Sequence, residues 1–500
     1  MSAFARKLGP PAETATPQAE AGAGTSASLV ALTRYGLERQ ARGDFQAAVE
    51  AFRAVADAAP RQPMVWNNLA LALGGLGDHE QAVEFLRRSL HLDPTQTAIW
   101  VSLAAAALQS QRFEEAEAAC DAAILREADN GGAWQIRAMV RAGRDDFAGA
   151  AEAFARTLAI IGEDGPLRAN LGVSLFKCGR FHEAERDLEA AAALCPDDAD
   201  IAQMARLSKF VVAALEDDMS RAAVLCGKLA GPADVLFKAA LLCLDWAGEP
   251  QAAGRVAKAW VAQRPDNLEA RHLADAALGR KVARQPAALV AQHFDGLAED
   301  FEEKLVGRLG YQGPDRLQAL IASRIPADGA LEVLDAGCGT GLCGPVLRPY
   351  ARTLAGVDLS PGMLAKAQAR GLYDALEVAD LTDLLRQTPG HWDLIAAADA
   401  LPYLGALDEV FEAAAGALKP GGWFVFSTEG GDGGSFSLRL NGRYTHARGY
   451  ISGLAAGLFE IVDQSSGVLR QEAGAPVRGD YFLLRRSPLP ADHGMGQLRG

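Results

Sequence analysis

Small and bulky apolar positions recur along the first half of this chain at a fixed interval. Alanines stand at Ala48, Ala82, Ala116, Ala150 and Ala184, each 34 residues from the last. A second small-residue series, Gly36, Ala70, Ala104, Ala138 and Gly172, keeps that interval. Phe52, Leu86, Phe154 and Leu188 hold a third column, with Cys120 as its smaller member, and Trp66, Trp100 and Trp134 form a fourth. Pro60, Pro94 and Pro196 fall at multiples of the same spacing. The pattern predicts helical hairpins whose small residues let two helices cross closely. One such hairpin cannot bury its apolar face alone, so neighbours stack. Five regular units run from about Leu29 to Ala199, a slipped unit follows, and a degenerate one spans about Asp234 to Asn267, with Gly248, Ala253 and Pro265 in place. A helical stretch from Leu268 to about Ala283 reads as a cap and leads through Gln285-Pro286 into different territory.

From there the period changes. Short apolar runs, most ending on an acid, alternate with helical stretches: Val333-Leu334-Asp335, Thr353 to Asp358, Leu376 to Leu381, Trp392 to Asp399, and Lys419 to Phe426 behind the turn Lys419-Pro420-Gly421-Gly422. Strand–helix alternation predicts a parallel, doubly wound sheet. Phe459 to Val462 and Tyr481 to Leu484 read as a terminal antiparallel pair. The first strand runs into Gly337-Cys338-Gly339-Thr340-Gly341, where glycines let the backbone turn sharply and approach a ligand. Its amides point to the start of a helix, a place for a polar or charged group. Such a turn alone suits several nucleotides, and its spacing departs from the dinucleotide fingerprint Gly-x-Gly-x-x-Gly. An acid at the end of the second strand, Asp358, suits the paired hydroxyls of a ribose.

The 34-residue period resembles the tetratricopeptide repeat, and the ordered strand motifs over roughly 288–486 resemble the class I S-adenosylmethionine-dependent methyltransferases. The resemblance implies an all-α repeat solenoid followed by an α/β Rossmann-like domain with a seven-stranded, mostly parallel sheet and terminal antiparallel strands. It implies S-adenosyl-L-methionine as cofactor. Asp335, Gly337, Gly339 and Gly341 would line its methionine part, with Cys338 beside them. Asp358 would take the ribose hydroxyls and Leu359 would lie against the adenine. Asp380 would face the adenine amino group, with Leu381 beside it, and Asp399 would sit near the cofactor after the fourth strand.

Composition narrows the rest. At 500 residues, with 49% hydrophobic and 22% charged, the chain is long enough for two or three soluble domains. The expected division is a mobile tail over 1–28, a solenoid of about seven repeats over 29–285, the methyltransferase domain over 286–487 and a second tail over 488–500. A formal charge of −14 argues against nucleic-acid or anionic-membrane binding. Seven cysteines without a repeated spacing suggest reduced thiols in the cytoplasm, and no run is long enough to span a bilayer. No metal site is expected.

Methyl transfer requires an aimed acceptor and, for an alcohol or carbon acid, a general base. Tyr403, after the fourth strand, and Tyr444 and His446, in the polar insertion Glu429 to Tyr450, are the candidate substrate-side groups, with His446 the preferred base. For Phe294 to Glu302, before the first strand, the resemblance implies part of a lid over the cofactor. The spacing of Phe294, Leu297, Phe301 and Leu305 fits ordinary core packing equally. No Asn-Pro-Pro-Tyr motif follows the fourth strand, which lowers the claim of nucleic-acid amines as acceptors. The leading expectation is a methyltransferase whose repeats recruit a protein or carrier-bound acceptor. A small-metabolite enzyme using the repeats for assembly, or a non-catalytic scaffold, are the alternatives.

Overall fold

The computed structural model describes residues 26–227, 233–299, 301–302, 310–472 and 475–487. Most of the first tail, and the whole of the second, lie outside that set. Contacts divide the chain between Ser208 and Lys209. The degenerate repeat and its cap therefore group with the sheet, earlier than the expected boundary at 285/286.

The first unit is built of paired helices: Ser26–Ala41 with Phe45–Ala58, Pro63–Gly75 with His79–Leu92, Thr97–Gln109 with Phe113–Arg126, Gly131–Gly143 with Phe147–Ile161, and Gly165–Lys177 with Phe181–Leu194. The periodic alanines are buried at every repeat. Their small-residue companions face the bulky column directly. A methyl group on Gly36 would stand 2.6 Å from the Phe52 ring, and one on Gly172 would stand 2.6 Å from Leu188 Cγ. The tryptophan column has its own repeated bond: Trp66, Trp100 and Trp134 donate Nε1–H to the carbonyls of Pro60, Pro94 and Ala128 at 2.8, 2.9 and 2.8 Å. Each indole thereby pins the entry to its own helix.

In the second unit, helices Ala233–Trp246, Pro250–Gln263 and Leu268–Ala277 precede the sheet. Trp260 stacks on Phe237 and donates to Asp234, so the degenerate repeat keeps a packed centre. The sheet comprises β1 (Leu331–Ala336), β2 (Ala351–Asp358), β3 (Ala375–Val378), β4 (Trp392–Ala397), β5 (Leu418–Gly430), β6 (Phe436–Leu438), β7 (Tyr444–His446), β8 (Phe459–Glu472) and β9 (Ala475–Arg486). Strands β3-β2-β1-β4-β5 are parallel neighbours in that order, β9 runs antiparallel to β5, and β8 antiparallel to β9. That gives the seven strands expected. The insertion adds two more, because β6 and β7 pair as a hairpin whose β7 joins the far end of β5 at Glu429 and Gly430. Strand order reverses between β1 and β4, the place where ligands settle outside the carboxyl ends of such a sheet.

Candidate active site

The carboxyl ends of β1, β2, β3 and β4 open into a cavity of about 320 Å3. One part of its lining is the glycine turn. Gly337, Gly339 and Gly341 all have positive φ, at 74°, 53° and 83°. Gly337 N and Cys338 N donate to the carbonyl of Val357 at 2.8 and 3.0 Å, locking the turn to the end of β2. Asp358 closes the clasp, accepting from Gly339 N and Ser360 N at 2.9 Å each. Asp335, Gly337, Cys338, Gly339, Asp358, Leu359, Asp380, Leu381 and Asp399 all line the cavity. Gly341 does not line it, which corrects the expectation. A side chain at Gly341 would meet the Tyr373 ring at 2.9 Å, so its smallness serves packing.

Asp335 is almost wholly buried and accepts a 2.6 Å bond from the Tyr373 hydroxyl. Burial pushes its carboxyl up to about 7, with the Tyr373 bond opposing and Asp358 adding to the rise. Burial also raises the Asp358 carboxyl. Asp380 spends one oxygen capping helix Leu381–Gln387, through Thr382 N and Asp383 N, and pairs the other with Arg284. The Thr340 hydroxyl and Gln285 Oε1 are buried on the cavity wall without a protein partner. Orphaned polar atoms beside a glycine cradle and three acids fit a polar nucleoside ligand.

Another part of the lining is aromatic and charged. Phe294 packs edge-on to Tyr403 and Phe301, with ring centroids 5.2 and 5.9 Å apart. All three rings line the cavity together with Tyr311 and His293. Asp399, at a left-handed φ of 55°, receives both its oxygens' bonds from Arg470 Nη1, at 3.1 and 2.9 Å. Arg470 also pairs with Glu429, which takes Arg443 Nε at 2.7 Å, and Arg443 pairs with Glu472. The neighbouring acids hold the buried Arg470 guanidinium firmly protonated despite the burial that opposes it. Three carboxylates and two guanidiniums thus form one connected network.

His446 and Tyr444 are placed elsewhere. Both are fully buried on β7, outside the cavity lining. His446 Nε2 meets the carbonyls of Leu404 and Gly405 at 2.9 and 3.0 Å, and burial lowers the imidazole to about 4. Tyr444 packs against Gly405 and the His272 ring. These two assignments are therefore corrected: both side chains fasten the insertion hairpin. Tyr403 alone of the three faces the cavity. Sequence reasoning missed Gln285, His293, Tyr311, Arg443, Arg470 and Glu472. Arg470 and Glu472 carried one signal: two residues apart on a strand, they share a face, and opposite charges there are costly unless paired.

The Methyltransferase domain family model matches residues 334–426, from β1 through most of β5. Tetratricopeptide repeat models match residues 35–97 and 75–140. The chain joins tetratricopeptide repeats to a methyltransferase domain. The cofactor of this domain is S-adenosylmethionine. Among curated proteins, the Ubiquinone biosynthesis O-methyltransferase of Xylella fastidiosa is 34% identical over 112 residues, covering 22% of this chain and 45% of that protein. Its counterpart in Bordetella avium is 28% identical over 167 residues, covering 30% and 69%. The chain thus spans less than two thirds of the first relative's length. A solved S-adenosylmethionine dependent methyltransferase from Mesorhizobium loti is 25% identical, covering 35% of this chain and all of that one at a TM-score of 0.28. The MamA protein is 21% identical, covering 34% and 92% at 0.33. Among the described residues, the methyltransferase domain and the repeats hold no cluster of metal ligands, and no helix is long and apolar enough to cross a membrane.

Proposed function

We propose that the protein transfers the methyl group of S-adenosylmethionine to an acceptor that meets it at the aromatic, charged part of the cavity lining. The observation that carries this reading is a single cavity whose lining holds two chemistries: a glycine turn with Asp335 and Asp358, and the side chains of Tyr403, Asp399 and Arg443. When bound, the cofactor supplies an activated methyl group on a sulfonium. The chain's own residues do the rest by holding geometry and excluding water. Asp358, already fixed by two backbone amides, presents its remaining lone pairs to the ribose hydroxyls. Asp335 and the glycine turn hold the methionine end. Phe294, Leu297 and Phe301 give the cavity an apolar lining. Arg470 keeps Asp399 in its strained backbone conformation.

The acceptor in this reading is a protein or a carrier-bound group brought by the repeats. A recruiting array joined to a catalytic domain raises the acceptor's effective concentration. A second reading, methylation of a hydroxyl on a small molecule, is favoured by the O-methyltransferase relatives and by an imidazole on the cavity wall. That imidazole is His293, in place of His446. Burial lowers its pKa from the usual histidine value, so it stands neutral and able to take a proton at neutral pH. Labelling a cell extract with methyl-tritiated cofactor tests both readings. Label should enter the protein or carrier fraction with the wild type and fall sharply with Asp358→Ala. Label confined to free metabolites supports the second reading, and no label in any fraction contradicts both.

A further inference from the structure

Between the last repeat helix and the first helix of the methyltransferase domain runs a short extended strap, Ala283-Arg284-Gln285. One isolated antiparallel bridge and three backbone hydrogen bonds tie it down. The Ala283 carbonyl accepts from Gly405 N and Ala406 N at 2.8 Å each, Arg284 bridges Leu404, and Gln285 N donates to the Tyr403 carbonyl at 3.2 Å. Gln285 is only 8% exposed, yet its Oε1 has no donor within hydrogen-bonding reach, and the residue lines the cofactor cavity. A buried amide oxygen left without a donor is costly, and the strap's backbone bonds deny it the freedom to swing into water.

The strap's neighbour decides which part of the ligand it faces. Arg284 is paired with Asp380, the acid at the end of β3 that the family resemblance places at the adenine amino group. Both Asp380 oxygens already have protein donors: the helix amides on one, Arg284 on the other. The adenine amino group therefore meets a carboxylate whose acceptor capacity is largely spent. A carboxamide carries an acceptor oxygen beside a donor nitrogen, the complement of an adenine edge, where an amino group sits beside a ring nitrogen.

We propose that Gln285 is a cofactor-binding residue: its side-chain amide, delivered by the strap from the repeat helices, hydrogen-bonds the adenine amino group of S-adenosylmethionine. The assignment rests on the methyl-donor reading above and adds to it a base-selective contact from outside the sheet domain.

The test is calorimetric titration of the full chain with S-adenosylhomocysteine and with its desamino analogue, whose purine carries hydrogen in place of the amino group. Wild type should prefer the adenosyl ligand. Gln285→Leu should weaken the adenosyl ligand about tenfold while leaving the desamino ligand within about twofold. Gln285→Met, unbranched and closer in length, repeats the comparison if the leucine variant melts early. Adenosyl affinity unchanged in a folded variant overturns the proposal and leaves the methyl-donor reading intact. Equal weakening of both ligands also overturns it, by assigning Gln285 a merely structural role. A folded wild type that binds neither ligand overturns the methyl-donor reading and this proposal with it.

Discussion

At the level of single residues, Asp335 is where the proposed ligand binding would be tied to protons. Its carboxyl is held near 7 by burial, so in the ligand-free protein it is partly protonated at neutral pH. A carboxyl with a raised folded pKa adds stability below its unfolded value and loses that contribution as pH rises through about 7. An ammonium placed beside it favours the ionised form, so binding releases the proton. Affinity for S-adenosylhomocysteine should be flat above that pKa and fall about tenfold per unit below it. Titrations in buffers of different ionisation enthalpy would report the released proton, and a pH-independent affinity would detach Asp335 from the ammonium.

His446 shows the opposite sign. Its folded pKa of about 4 lies below the unfolded value of 6.5, so its neutral form is favoured in the fold. The protein should lose about 3 kcal/mol from this group as pH falls from 6.5 towards 4. His446→Ala should remove that acid-sensitive part of the unfolding curve, cost about 1–3 kcal/mol at neutral pH and leave the methyl-transfer rate constant intact. For a hydroxyl acceptor, His293→Ala should lower that rate about 100-fold or more.

Elements differ in how openly the sequence declares them. The repeats were legible because one packing contact, small residue against bulky residue, recurs and leaves its period in the chain. Gly172 makes the point: Leu188 Cγ occupies the space its side chain would need. Gly172→Val should therefore lower stability by about 1–3 kcal/mol, read as a lower thermal midpoint. The parallel strands were legible from their apolar runs and terminal acids. The hairpin β6–β7 was not, since strands of three residues in a polar segment offer no alternation to count. The same gap misled the site reading, because a histidine in such a segment looks exposed until the hairpin folds it inwards. Glycines carried a related ambiguity: Gly337 and Gly339 face the cavity, whereas Gly341 spares Tyr373, and spacing alone does not separate the two uses.

Across the whole chain, contacts divide earlier than the sequence period changes. Helix Leu268–Ala277 reaches the insertion through His272, whose Nε2 lies 2.9 Å from the carbonyl of Gly442, next to Arg443 on the cavity wall. The strap adds Arg284 and Gln285 to the lining of the same cavity. A fragment beginning at residue 286 should therefore lose cofactor binding, whereas one beginning at residue 209, where contacts divide, should keep it. Equal binding by both fragments would show that the strap and the last repeat helix contribute nothing to the site.

The central claim is that the cavity behind the glycine turn binds S-adenosylmethionine with its ribose on Asp358. Calorimetric titration of the purified full chain, beside a folded Asp358→Ala variant, tests it most directly. One cofactor should bind each wild-type chain, and the variant should lose about 1.5–3 kcal/mol of binding free energy through the missing charge-assisted hydrogen bonds. A wild type that takes up no cofactor, or a variant that binds it as tightly, would contradict the account.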